Sequence, residues 1–331
     1  MTLSTSDTAP ATTGRLSIRL VVNKAGIGLA LLGLILFFSV FTEHFLTANN
    51  ITNILTQITI NLILAVGMTF VILVGGIDLS VGSVMAFAAV VAGKAMTLPG
   101  LGPAEAILLA CLAGVVAGVV CGILNGVISA YWALPSFIIT LGMLNIARGA
   151  ALHISNAQTI YSFPFAFEEF GSALLYGIPV VFILAMVLVA LAWFVLNRTV
   201  FGRLLYGIGN NEEAVRLAGH PVFWYKVAAF TICGMTAGIA AIVYMARLNI
   251  ASPIAGIGFE LNAIAAVIIG GTSLSGGRGS VIGTLLGAFI IGVLANGLIL
   301  IGLNDFMRQM ITGVVIIFAV ILDYYRAKYA S

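Results

Sequence analysis

The sequence predicts an all-α integral membrane protein with about ten transmembrane helices. Hydrophobic residues fill 61% of its 331 positions and charged residues only 8%, against about 25% charged in an ordinary soluble domain. The apolar residues also come in long unbroken runs, near the roughly 20 residues a helix needs to cross a bilayer. Membrane β-strands would instead alternate apolar and polar over about 10 residues. A soluble fold must clothe most of its surface in polar groups. A soluble enzyme, a nucleic-acid binder and a disordered chain are therefore excluded.

The runs fall at 25–42, 52–74, 80–97, 104–129, 134–152, 176–197, 223–246, 260–275, 281–303 and 306–325. Residues 1–24, rich in Ser, Thr and Pro and carrying Arg15, Arg19 and Lys24, read as a flexible cytoplasmic N-terminus. A cleaved signal peptide is the competing reading of the first run, but no small-residue cleavage site follows it before Glu43 and His44. Residues 25–325 form the membrane domain and 326–331 a cytoplasmic tail. With the N-terminus in the cytoplasm, ten crossings put ten of the 14 Lys and Arg inside and four (Lys94, Arg148, Arg247 and Arg308) outside. That asymmetry satisfies the positive-inside rule, whereas an odd number of crossings would leave the basic tail outside.

Small residues let membrane helices approach closely, and the chain has 38 glycines. Gly114, Gly118, Gly122 and Gly126 recur every four residues in the fourth run, as do Gly279, Gly283 and Gly287 around the start of the ninth. Runs five apart point in opposite directions, so the pattern predicts an inverted repeat of two five-helix halves; chance placement of a common residue is the alternative. Cys111, Cys121 and Cys233 lie in apolar runs and read as packing residues, not disulfide partners. No His/Cys cluster has metal-ligand spacing, so neither metal nor cofactor is expected.

Two glycine-rich breaks interrupt the apolar pattern. Aligning Gly75–Gly82 with Gly270–Gly277 matches five of eight positions. Broken backbone at membrane depth survives only when buried in protein or lining a wet cavity. Gly75, Gly76, Asp78, Ser80, Gly82, Gly270, Gly271, Ser275, Gly276 and Gly277 are therefore candidate gate or hinge residues, with ordinary tight turns as the plain alternative. An acid among apolar helices is a functional hypothesis by default; otherwise Asp78 or Ser80 caps the third helix.

The loop 198–226 holds Arg198, Arg203, Glu212, Glu213, Arg216 and Lys226, six of the chain's 25 charges (14 basic plus 11 acidic). Within it, 211–219 reads as a short helix: Asn210 or Asn211 caps it, acids occupy its first turn, and Gly219 before Pro221 stops it. Glu212 and Arg216 have the spacing of a favourable i,i+4 pair. The segment reads as a docking element for a cytoplasmic partner or as a solvated amphipathic loop. The outer loop 153–175 carries Glu168, Glu169 and five aromatics, fitting either a docked extracytoplasmic protein or an interfacial aromatic belt.

Three segments, VILVGGIDLSVGSVMA (Val71–Ala86), FGRLLYGIGNNEEAVRLAG (Phe201–Gly219) and AIAAVIIGGTSLSGGRGSVIG (Ala263–Gly283), closely resemble the signatures of permease subunits of ribose-type ABC sugar importers. The resemblance covers roughly 27–325. It implies a multi-pass bacterial inner-membrane protein with both termini cytoplasmic, working as a homodimer or pseudo-dimer. It further implies a periplasmic sugar-binding protein outside and a separate ATPase with two nucleotide-binding domains inside. The cargo would be a monosaccharide: a ribose-like pentose, a hexose or a polyol. Residues 198–222 become the cytoplasmic coupling loop, with Arg203, Asn210, Asn211, Glu212, Glu213, Ala214, Arg216 and Gly219 as ATPase-coupling residues. Small pairs such as Ala-Ala often follow the asparagine in this family; here Glu212-Glu213 stands in their place, which bears on the detail of the ATPase contact.

No G-x-x-x-x-G-K-[ST] phosphate loop is present, so ATP must be hydrolysed on another chain. For such an importer the candidate substrate-path residues are Gln57, Asn61, Asn125, Asn145 and Asn296, whose amides can exchange hydrogen bonds with sugar hydroxyls; helix–helix hydrogen bonding is the alternative for each. The rival cargoes are branched-chain amino acids or nucleosides. An ion-coupled secondary transporter would need buried acids along several runs, where Asp78 stands almost alone.

Overall fold

The computed structural model describes residues 13–330. The expected flexible segment therefore lies partly outside the described residues, as does Ser331. The elements are α1 (Thr13–Phe41), α2 (Ala48–Leu73), α3 (Val81–Met96), α4 (Pro103–Tyr131), α5 (Ser136–Ser155), α6 (Phe165–Ser172), β1 (Leu174–Leu175), β2 (Ile178–Pro179), α7 (Val180–Arg198), α8 (Val200–Asn210), α9 (Glu212–Leu217), α10 (Val222–Leu248), α11 (Phe259–Ile269), α12 (Val281–Leu300) and α13 (Asp305–Ala330). Among the described residues α2, α4, α5, α7, α10 and α12 are long and apolar enough to cross a membrane; Gly26–Phe41, α3 and α11 are apolar but shorter. The fold is thus an all-α membrane protein, with one two-residue antiparallel hairpin, β1–β2.

The eighth run differs most from expectation. Its helix, α11, has 11 residues and is about 16 Å long, half the roughly 30 Å of a hydrocarbon core. The segment before it lies along α3: the Cβ of Ala251 sits 2.8 Å from where a Cβ on Gly93 would stand, and the Gly256 carbonyl 2.2 Å from the same point on Gly82. Ala251, Ser252, Pro253, Ala255 and Gly256 are buried there. Non-helical backbone is thereby kept inside protein, as lipid requires.

The glycine rows set the packing. On α4, a Cβ at Gly118 would lie 2.2 Å from the Gly234 carbonyl oxygen, and one at Gly122 2.4 Å from that of Phe230, so α4 and α10 touch backbone to backbone. On α12, Gly283 and Gly287 would meet the carbonyls of Gly270 and Ala266 at 2.0 and 1.9 Å, drawing in α11. Polar pairs fix α12 against α2: Thr69 and Thr284 share a 2.8 Å hydroxyl bond, and Asn50 and Asn296 exchange two 3.0 Å amide bonds.

These contacts define two ends of the bundle. At one, Ile160 bridges Ala251, Thr52 reaches Gly177, and Asn249 donates to Glu168 of α6. At the other lie the α2–α3 break, the α4–α5 turn, α8, α9 and the 270–280 break. That second end carries the candidate site.

Candidate functional site

The first break begins as a helix stop. Gly75, at φ +77°, donates to the Ile72 carbonyl, and Gly76 donates to that of Val71. This is the two-bond glycine cap whose left-handed residue favours glycine. The second break opens identically: Gly271, at φ +84°, donates to Ile268, and Thr272 to Val267. Gly75 and Gly271 therefore have the same local reason to be glycine, one position off the alignment that pairs Gly75 with Gly270.

Past Gly76 the chain turns inward around Asp78, which is 2% exposed. One carboxylate oxygen accepts from the Ser80 backbone N–H at 2.8 Å and from its hydroxyl at 2.6 Å. Asn125 of α4 donates to the Ser80 hydroxyl at 3.0 Å and to the other Asp78 oxygen at 3.4 Å. From α5, Ser136 accepts the Ile77 N–H and Thr140 that of Leu79. Ser80 occupies the N-cap position of α3 without a side-chain capping bond, and the Asp78 bond goes to the N-cap residue itself, so the acid shapes the turn. α4 and the N-cap of α3 thus hold the buried carboxylate, while α5 holds the backbone on either side of it.

The two breaks and the charged loop converge on one point. The Gly277 N–H donates to the Leu73 carbonyl at 2.9 Å, joining the second break to the end of α2. A Cβ on Gly276 would stand 2.8 Å from the Gly75 nitrogen and 3.1 Å from the Gly209 Cα. A Cβ on Gly209 would be 2.0 Å from the Leu73 oxygen and 2.2 Å from the Gly277 nitrogen. One turn apart on α8, Tyr206 donates to the Gly279 carbonyl at 3.0 Å and Asn210 to that of Gly277 at 3.1 Å. Burial raises the Tyr206 phenol above its ordinary pKa, which keeps it a donor. α8 therefore holds the second break by two side chains and touches the first through bare backbone.

α9 continues from this clasp into solvent. Asn211 caps it, accepting the Ala214 N–H at 2.9 Å, while Asn210 is spent on the break. Gly219, at φ +84°, ends it with the same two-bond cap, Gly219 to Arg216 and His220 to Val215. The expected Glu212–Arg216 pair does not form. Glu212 instead bridges to Lys226 of α10 at 2.5 Å, and Arg216 pairs with Glu213. The α9–α10 turn brings Lys226 within reach of Glu212, and a one-and-a-half-turn helix aligns i,i+3 as well as i,i+4. Val215 turns inward, near Gly207. Ala214 and Ala218 are exposed, and Leu217 is 79% exposed. Arg203 is exposed on α8 outside these ion pairs.

Other sequence candidates scatter. Gly82 faces Gly256 and Glu260, Gly270 packs on Gly283, and the Ser275 carbonyl lies 3.8 Å from the Cβ position of Gly75. Gln57 and Asn61 are half-buried on α2, with the Asn61 carbonyl oxygen unpartnered among the described residues. Asn125 belongs to the Asp78 cluster, and Asn296 is buried with its amide engaged by Asn50. Asn145 is exposed on α5. Sequence reasoning missed Tyr206, whose signal was its i,i+4 spacing to Asn210. It also missed Arg148 and Glu260, two charges inside apolar runs.

A family profile described as branched-chain amino acid transport system / permease component matches residues 50–320, which include every segment of this site. The chain belongs to that permease family. The permease is 43% identical over 306 residues to the ribose import permease protein of Bacillus subtilis, covering 92% of this chain and 93% of that one. It is 42% identical over 303 residues to the ribose import permease protein of Escherichia coli K12, covering 89% and 92%. Against the D-allose transport system permease protein of Escherichia coli K12 the identity is 41% over 288 residues, 87% of each chain. No solved structure matches the permease.

Proposed function

We propose that this permease is the membrane-spanning subunit of an ATP-driven monosaccharide importer, and that α9 is the lever through which a separate cytoplasmic ATPase works it. The observation that carries the reading is the junction of Gly75, Gly209, Gly276 and Gly277 beneath an exposed six-residue helix. A push on α9 reaches α8 through the Asn211 cap and α10 through the Glu212–Lys226 bridge. From α8 it reaches both breaks together, tilting α7 and α10 and opening a path between subunits. The named cargoes of the relatives, ribose and allose, support a sugar over the amino acid in the family description.

The reading includes ten crossings, made by α1 to α5, α7, α10, the 249–258 segment with α11, α12 and α13. Helix adjacency supports an inverted repeat of five: α4 lies on α3 and α10, and α12 on α11 and α2, so each partner shifts by five around the ring. Arg198, Arg203, Arg216, Lys226 and Arg278 cluster at the α9 end, favouring that end as cytoplasmic, with both termini there. The α6 end then faces the periplasm of a bacterial inner membrane and receives the sugar-binding protein. Two copies of the chain form the conduit.

The test is substrate-stimulated ATP hydrolysis by the assembled importer carrying Glu213→Lys or Leu217→Asp. Both residues are exposed, so abundance in the membrane should hold while stimulation falls at least about tenfold, the effect of losing interface contacts worth a little over 1.4 kcal/mol. Normal stimulation in both variants would sink the lever. Uptake of labelled leucine in place of labelled ribose by the wild type would overturn the sugar.

A further inference from the structure

Arg148 and Glu260 are charges set within apolar segments, on α5 and in the first turn of α11. Ionisable groups at such positions are costly, so they mark pathways or find partners. Arg148 donates through one terminal nitrogen to the Pro253 carbonyl at 2.6 Å and the Ala255 carbonyl at 2.9 Å, gripping the segment that descends along α3. Glu260 accepts the Gly258 N–H at 3.2 Å, and its second oxygen lies against bare backbone, 2.4 Å from where a Cβ on Gly82 would stand. Both therefore bear on one stretch of chain, 253–260. Yet they are not among the ion pairs of the described residues, which are Glu212–Lys226, Glu213–Arg216 and Asp305–Arg308.

Charges at such positions pair with one another or with backbone groups, and each of these two takes backbone partners through only part of its hydrogen-bonding capacity. Here backbone groups hold them apart, and guanidinium donors and a carboxylate oxygen are left uncommitted. Arg148 adjoins an open stretch of α5. Gly142 and Gly149 have nothing within 4 Å of a Cβ position, and Asn145, between them and three residues before Arg148, is exposed with only its amide nitrogen bonded, to the Leu141 carbonyl at 3.0 Å.

We infer that Arg148, Glu260 and Asn145 form a hydroxyl-recognising station on the translocation route. Arg148 donates to sugar oxygens, Glu260 and Asn145 accept sugar hydroxyls, and the glycines leave room for the ring. The inference rests on the sugar-importer reading and adds the place where the permease itself touches its cargo.

The experiment measures labelled ribose moved per ATP hydrolysed by the complete importer, for wild type, Arg148→Ala, Glu260→Ala and Glu260→Gln. Loss of a charge-assisted hydrogen bond should lower sugar moved per ATP about tenfold in both alanine variants. Glu260→Gln, which keeps an accepting oxygen, should recover part of it. Uptake and hydrolysis falling in parallel, so that the ratio stays constant, would mean that the pair only holds the 253–258 segment, and the station would be refuted. An unchanged ratio with unchanged rates would refute it too. If the wild type moves neither labelled ribose nor labelled allose, the importer reading itself fails, an outcome distinct from either.

Discussion

Asp78 shows how much a single side chain organises. Three donors converge on it or its neighbour: the Ser80 N–H, the Ser80 hydroxyl and the Asn125 amide. Asp78→Ala would strand these donors in a buried site at about 1–3 kcal/mol each, so the variant should reach the membrane in reduced amount, as immunoblotting of membranes would read. Asp78→Asn keeps the shape but faces a second donor toward Asn125, so uptake should fall more than abundance; normal uptake would leave the acid a turn former only. This residue was legible in the sequence because an acid flanked by glycines interrupts apolar runs. Arg148 and Glu260 were not, since each sits inside a run long enough to absorb one charge. Only the fold brings residues 148, 253 and 260 together.

At the scale of elements, the α8–α9 unit is an elbow that meets both breaks backbone on backbone at Gly209. Gly209→Ala would force a methyl to within 2.0 Å of the Leu73 oxygen, and neither partner is a flexible side-chain tip. Overpacking of that kind costs typically ~1–3 kcal/mol, and here it separates α8 from both breaks. The variant should insert normally but lose coupling, seen as sugar-independent ATP hydrolysis. Tyr206→Phe with Asn210→Ala removes two hydrogen bonds of about 1 kcal/mol each and should weaken coupling by a smaller factor without steric damage. Coupling intact in both would mean that the junction transmits nothing. Element boundaries set by caps were readable: Gly219 stops α9 where its position before Pro221 indicated. Partner choice was not, because Asn210 and Asn211 are equivalent caps on paper until the 277–279 loop claims one of them. The eighth run misled because its helix stops at Ile269, where the Gly271 cap ends it inside the apolar stretch, while the non-helical 249–258 segment laid along α3 falls before the run altogether.

For the whole molecule, the decisive feature is a face that does not belong in lipid. Along α5, Gly142, Asn145 and Gly149 lie open beside exposed Phe137, Ile138, Leu141 and Ile146. Lipid-facing surfaces are apolar, and an amide turned toward hydrocarbon is a cost without return. A second copy lying across this face would cover the apolar flanks and leave the amide on a shared, wet seam, which also places Arg148 and Glu260 at the conduit between subunits. The prediction uses a chain with Cys111, Cys121 and Cys233 replaced by alanine and one cysteine introduced by Ile146→Cys. A short thiol-reactive cross-linker should give a band of twice the monomer mass in native membranes and should block uptake. Leu191→Cys, on the exposed face of α7, should give neither result. Cross-linking at α7 in preference to α5 would move the subunit contact to the other side of the bundle and leave the polar face of α5 without an occupant.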